Sequence, residues 1–168
     1  MHLCDAVNVL RRFFDWEELD QDFIDATWMH DVLEDTPTKR WEIEAGFNQR
    51  VADLVYAVTN EPGANRKERH GKTYPKIRDT EGAITVKLAD RIANLEQTVS
   101  HDRFGRPPSK LFSMYSKEWD DFQKELRGRC KGEGPTEKLM WEYIDEIIAE
   151  GNRKSEKLKS LKTFRGEI

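Results

Sequence analysis

Cysteine is scarce in this chain. Cys4 and Cys130 are the only two in 168 residues, too few for a disulfide scaffold. No apolar run approaches the roughly 20 residues that span a bilayer. The opening residues lack the charged-then-apolar order of a secretory signal. Neither charge sign dominates: 28 Lys and Arg stand against 32 Asp and Glu, a formal net charge of −4. That balance gives no general attraction to nucleic acid or to an anionic membrane. Strand-like alternation and internal repeats are also missing. These absences leave a soluble, reduced, cytoplasmic protein as the expectation, one domain long with room for an appendage. At 37% hydrophobic residues the chain can still bury a core.

What is present is helical periodicity. Ala6, Val7, Leu10, Phe13 and Phe14 recur at spacings of three and four over residues 3–15. Asp20 or Asp22 can cap a second helix that runs to Glu34 with Phe23, Ile24, Thr27, Trp28 and Val32, and Thr36-Pro37 stops it. Thr38 can cap a short helix with Trp41 and Ile43, ending near Gly46. Asn48 can cap another, with Val51, Leu54, Val55 and Val58. Residues 59–82 are basic and broken by Gly and Pro, and read as a loop around a helical piece. Residues 83–99 form a strong helix with Ile84, Leu88, Ile92 and Leu95 inward. Residues 110–127 form the next, with Leu111, Met114, Trp119, Phe122 and Leu126. "GRCKGEGP" reads as a hinge at 128–135. The last amphipathic helix carries Leu139, Met140, Tyr143, Ile144, Ile147 and Ile148, and a charged tail follows from 152. The expectation is an all-α domain over 1–128 with a helical extension over 129–168, packed on the domain or at a homodimer interface.

Two polar stretches stand out. "HDVLED" places His30, Asp31, Glu34 and Asp35 on one helical turn. Residues three and four apart share a face, so this set can line a cleft. Neighbours on a helix are about 100° apart, so His30 and Asp31 can reach one metal ion only at the helix edge. Imidazole nitrogen with carboxylate oxygen suits Mn²⁺, Zn²⁺ or Fe²⁺. Glu34 and Asp35 are then free for acid–base work. The second stretch, "VKLADRIANL", sets Lys87, Asp90, Arg91 and Asn94 in an otherwise apolar helix. A carboxylate between Leu88 and Ile92 must be paired or bind a metal. On the residues alone, Asp90 is either a metal ligand or half of a salt bridge with Lys87 or Arg91.

"HDVLEDT" followed by "VKLADRIANL" resembles the hydrolase module of RelA/SpoT-type proteins and the small alarmone hydrolases, within the HD-domain phosphohydrolase superfamily, over about residues 2–127. The resemblance implies an all-α HD-domain helical bundle and an Mn²⁺-dependent enzyme, with other divalent ions open, that removes the 3′-pyrophosphate of (p)ppGpp. It implies metal ligands at His2, His30, Asp31 and Asp90, a water-activating pair at Glu34 and Asp35, and a substrate-side Asn94. Basic residues face the phosphates in that family; Lys87 and, from "NRKERHGKTYPKIR", Arg66, Lys67, Arg69, Lys72 and Lys76 are the candidates here. His70 and His101 read as surface residues.

The match departs from the family at its start. The family's helix ahead of the early His has no counterpart before His2, and Leu3 stands where the family has Pro. The expectation is that a longer protein supplies that helix or that the cleft is completed otherwise. Residues 129–168 are too few for the family's synthetase domain. An HD phosphohydrolase for another nucleotide such as a dNTP, an inactive nucleotide-binding module and a helical interaction protein remain as alternatives.

Overall fold

The computed structural model describes residues 2–15, 17, 19–100 and 109–164, with the backbone alone at His2, Ser100 and positions 158, 159, 161, 162 and 164. The elements are α1 (His2–Phe13), α2 (Gln21–Met29), α3 (Val32–Asp35), α4 (Arg40–Gly46), α5 (Gln49–Val58), α6 (Arg66–Asp79), α7 (Ala83–Ser100), α8 (Lys110–Leu126) and α9 (Pro135–Phe164). Among the described residues there is no strand, and no helix is long and apolar enough to cross a membrane. The fold is an all-α helical bundle.

α7 is its axis. It packs against α1, α2, α5, α6, α8 and α9. Ile84, Leu88, Ile92 and Leu95 are fully buried, as the periodicity predicts. Burial of each such side chain stabilises by about 1.5–3 kcal/mol. A helix surrounded on nearly all sides must be apolar nearly all round. Its polar stripe Lys87, Asp90, Arg91 and Asn94 marks one place where the packing opens.

Polar anchors tie the last helix to this axis. Glu96 on α7 accepts hydrogen bonds from Arg12 of α1 (2.8 Å) and from the Tyr143 hydroxyl of α9 (2.7 Å). The buried Glu137 accepts from the Thr85 hydroxyl at 2.6 Å and from the Gly134 amide at 2.9 Å. Trp141 stacks among Trp119 and Phe122 of α8. The apolar face of the extension is buried against α7 and α8.

Several expectations need correction. The stretch 20–34 is not one helix: α2 ends at Met29, and α3 starts at Val32 after a turn at His30–Asp31. Asp20, not Asp22, caps α2, accepting from the Asp22 amide at 3.0 Å. α4 starts after Lys39 rather than Thr38, and Glu42 reaches back to the Lys39 amide at 2.7 Å. Asn48 caps α5 through the Val51 amide at 2.9 Å, as predicted. Residues 66–79 form a full helix, larger than the piece expected, capped by Asn65 and continuing through Pro75. Trp28, Trp41, Leu111 and Leu139 face outward, and Phe112 and Trp141, each one or two positions on, take the inward places in α8 and α9.

The segment 128–135 is pinned rather than a hinge. The Lys131 amide donates to the Arg78 carbonyl (3.0 Å), and the Gly82 amide donates to the Lys131 carbonyl (3.2 Å). Gly132 adopts φ +73°, a left-handed conformation that suits Gly, and a Cβ there would also strike Glu81. Glu133 locks the segment further, accepting from the Gly128 amide and the Trp141 indole, both at 2.8 Å.

Gly151 lies inside α9, where Ala normally stabilises by roughly 1 kcal/mol. Here the added Cβ would fall within the buried Phe112 ring. Gly151→Ala is expected to lower stability, by about 1–3 kcal/mol, because the ring cannot move without overpacking. Urea unfolding of the two proteins measures the sign, and a gain in stability contradicts this packing.

Candidate active site

The turn at His30–Asp31 does what a straight helix cannot. Asp31 has φ −96° and ψ −4°, in the sparsely occupied bridge region between helix and strand. The turn carries its carboxylate to 3.1 Å from Nε2 of the neighbouring His30. The other ring nitrogen, Nδ1, lies 2.8 Å from the Thr27 carbonyl oxygen. That contact fixes Nδ1 as the donor and turns Nε2 toward the cleft.

Across the gap, α7 brings in Asp90, whose Oδ1 lies 3.5 Å from the same Nε2. Asp90 is held on several sides. Lys87 donates to Oδ2 at 2.9 Å, and the Asn94 amide donates to Oδ1 at 2.6 Å. Lys87 thus takes the salt bridge that the sequence left open between Lys87 and Arg91. His30 is almost wholly buried and Asp90 nearly so. Burial alone pulls the imidazole toward neutrality, but its ring N–H donating to the Asp31 and Asp90 carboxylates outweighs this and pushes the His30 pKa up to about 10. In the protein without a metal, a proton therefore holds these acceptors together.

The cleft has a volume of about 250 Å³ and is lined by Asp31, Asn60, Arg66, His70, Thr73, Tyr74, Lys87, Asp90, Arg91, Asn94 and Tyr115. Of the residues expected from sequence, the structure brings His30, Asp31, Asp90, Asn94, Lys87 and Arg66 together here. The His2 side chain lies outside the described residues, as does His101. Among the described residues, no three His, Cys, Asp or Glu side chains yet stand in a metal-coordinating arrangement. His30, Asp31 and Asp90 converge only on the imidazole nitrogen.

Glu34 and Asp35 are exposed on α3. Glu34 is held by Asn60, whose backbone amide donates at 2.7 Å and whose side-chain amide donates at 3.2 Å. Asn60 is itself placed from α6. Lys76 donates to the Tyr56 and Thr59 carbonyls at 3.0 and 2.9 Å and pairs with Glu61 at 2.6 Å. Lys76 is thus occupied behind the cleft. Lys72 is bonded to Glu68 and the Pro62 carbonyl, and Lys67 lines an adjacent groove on the far side of His70. Neither lines this cleft. Arg66 does, with its guanidinium clasped by Glu118 of α8 at 2.7 and 3.0 Å.

Sequence reasoning missed Asn60, His70, Thr73, Tyr74 and Tyr115 as cleft residues. Tyr115 lies on an amphipathic helix where an aromatic reads as core. Asn60 sits in a Pro-broken stretch with no periodicity to place it. His70, expected on the surface, is half-buried and stacks on Tyr74 with ring centroids 4.9 Å apart. Burial pushes its pKa down to about 4; Glu118 opposes this, and Arg66, Arg91 and Lys87 add to it.

No family model matches the chain. It is 35% identical over 82 residues to the guanosine-3′,5′-bis(diphosphate) 3′-pyrophosphohydrolase of Aquifex aeolicus, matching 46% of this chain and 12% of that protein. It is 37% identical over 82 residues to the 3′-pyrophosphohydrolase MESH1 of Danio rerio, matching 47% of this chain and 44% of the relative. The chain thus spans less than half the length of these curated relatives. The fold is similar to a solved metazoan ortholog of SpoT described as hydrolysing ppGpp (TM-score 0.65, 23% identity, 88% of this chain and 78% of that one). It is also similar to a Listeria monocytogenes EGD-e protein known from a crystal structure (TM-score 0.62, 22% identity, 90% and 94%). In sequence the chain is similar, over part of its length, to curated 3′-pyrophosphohydrolases, and in fold it is similar to the two solved proteins.

The depressed His70 pKa sets a pH dependence. Between about 6.5 and 4 the unfolded chain takes up a proton at this residue while the folded chain does not, so His70 withdraws stability as pH falls through that window. Thermal unfolding of the wild-type chain and His70→Gln from pH 7.5 to 4 should show the difference shifting in favour of the variant on acidification. A difference that does not vary with pH contradicts the assignment.

Proposed function

We propose that the chain is a metal-dependent hydrolase that removes the 3′-pyrophosphate of (p)ppGpp, with a guanosine nucleotide as substrate and Mn²⁺ as its metal in the cytoplasm. The observation that carries the reading is the meeting of His30 Nε2 with Asp31 and Asp90 at 3.1 and 3.5 Å in a cleft lined by cations. The similarity to curated 3′-pyrophosphohydrolases supports the substrate class.

The donor set suits a divalent ion. One imidazole lone pair and two carboxylates, with Thr27 and Asn94 fixing their orientation, form a borderline-to-hard oxygen and nitrogen site. His30, Asp31 and Asp90 would hold the ion, joined by His2. When bound, the ion supplies Lewis-acid charge for phosphoryl transfer and lowers the pKa of water toward neutrality.

The remaining work belongs to the protein. Glu34, held by Asn60, orients the attacking water and accepts its proton, with Asp35 beside it. The water oxygen forms a bond to the inner phosphorus as the bond from that phosphorus to the 3′ oxygen breaks. The 3′ oxygen takes up a proton from solvent as it leaves as a hydroxyl, Glu34 returns its proton to solvent, and the products are pyrophosphate and GDP or GTP. Lys87 and Arg66 line the cleft where negative charge gathers on the phosphoryl oxygens.

The test is pyrophosphate release from ppGpp with Mn²⁺, with dNTPs as parallel substrates. The wild-type chain should turn over ppGpp, Asp31→Ala should fall to background, and Glu34→Gln should lose about 10²–10⁴-fold in rate, the range for a general base. Absence of ppGpp turnover with metal bound, or equal turnover by Asp31→Ala, contradicts the proposal.

A further inference from the structure

A groove of about 390 Å³ runs between α6 and α8, on the far side of His70 from the catalytic cleft. It is larger than the cleft, and its volume is that of a small-molecule site, roughly 300–1,000 Å³. His70 and Tyr74 line both spaces and form the wall between them. Two residues on the α6 side of the groove are poor choices for a helix that only packs. Gly71 and Pro75 stand four apart inside α6, on one face, and both residue types weaken a helix interior. Packing does not explain the glycine, because a Cβ at position 71 would meet nothing within 4 Å. Pro75 has no N–H, so the Gly71 carbonyl lacks its α-helical donor, and no side chain at 71 covers it.

The wall adds polar groups that the protein leaves unanswered. Tyr74 is only 5% exposed, yet among the described residues its hydroxyl has no hydrogen-bond partner. Leaving such a group unpaired costs free energy unless a ligand or water answers it. The ring nitrogens of His70 also lack a partner among the described residues. Burial keeps that imidazole neutral, so it offers one N–H donor and one acceptor lone pair. The charges around the groove balance: Lys67, Arg78 and Lys124 face Glu118, Asp121 and Glu125. A polyanion therefore gains little net attraction there, whereas an uncharged ligand meets donors and acceptors together.

We infer that the α6–α8 groove is a second binding site, separate from the catalytic cleft, for an uncharged planar ring that carries both hydrogen-bond donors and acceptors, the chemistry of a nucleobase. The helix face at Gly71 and Pro75 has no projecting side chain at 71, so a flat ring can approach the backbone closely. Tyr74 donates to an acceptor on the ring edge. The Gly71 carbonyl accepts from a ring N–H, and the neutral His70 serves either kind of partner. The site stands whichever reaction the cleft performs.

Nucleosides present such a ring without any phosphate. Calorimetric titration of the full chain, treated with chelator, with adenosine, guanosine, cytidine and uridine tests the site without turnover. The wild-type chain is expected to bind at least one of them. Gly71→Leu fills the groove from a position that does not line the catalytic cleft, and is expected to weaken that binding at least about 10-fold. The same variant is expected to unfold at no lower temperature, since Leu is the better helix former and its Cβ enters open space. Tyr74→Phe is expected to weaken binding about 3–10-fold, the effect of one neutral hydrogen bond. If Gly71→Leu does not fold, Gly71→Ala makes the same comparison with a smaller loss of affinity. A wild-type chain that binds none of the four nucleosides overturns the inference. So does binding that is indifferent to the folded Gly71 variant, since the ring then lies outside the groove.

Discussion

Two carboxylates and an imidazole nitrogen cannot share one spot unless a cation joins them. At 4 Å, two like charges repel by about 4 kcal/mol at the effective dielectric near a protein surface. Asp31 and Asp90 nevertheless both approach His30 Nε2, within 3.1 and 3.5 Å. Lys87 offsets part of this repulsion from one side. A proton on His30 offsets the rest when no metal is bound, which is why the imidazole pKa rises although burial opposes it. Under the proposed function, a divalent ion would take the same position. Most of the surrounding structure can be understood as what keeps these acceptors facing one another.

Two features of the fold do that. The turn at His30–Asp31 breaks a helix that would otherwise spread the two side chains apart. α7, enclosed on nearly every side, brings Asp90 to them on an axis that many neighbours hold in place. The outer parts follow from these. α6 fixes the 56–61 segment through Lys76, Asn60 fixes Glu34, and α8 closes the far wall with Tyr115 and Glu118. The extension α9 bears on the site indirectly, by packing on α7 and bracing Glu96 and Thr85.

The helical class and the buried face of α7 were legible in the sequence, because period-3.6 burial is a local signal, whereas the association of His30 and Asp31 with Asp90 came only from the resemblance of the two polar stretches to a known family. The break at His30 was not legible, since α2 and α3 together keep the periodicity of one helix. The pinned segment 128–135 looked like a hinge because its Gly residues signal left-handed turns without revealing that Arg78 and Gly82 bind it. Lys72, Lys76 and Arg66 were indistinguishable in a basic stretch. Only the packing of α6 separates a cation spent on Glu68 or Glu61 from one that faces the cleft. Tyr115 and Asn60 enter through tertiary contacts between α7, α8 and the end of α5, which no window of sequence contains.

If the proposed function holds, His30, Asp31 and Asp90 bind one cation together. Titration of the chelator-treated chain with Mn²⁺, followed by calorimetry, tests this most directly, with Asp90→Ala as the comparison. One ion is expected to bind per wild-type chain, with protons released as it replaces the one on His30, and Asp90→Ala is expected to lose that binding. Equal Mn²⁺ binding by the two proteins, or none by the wild-type chain, would contradict it.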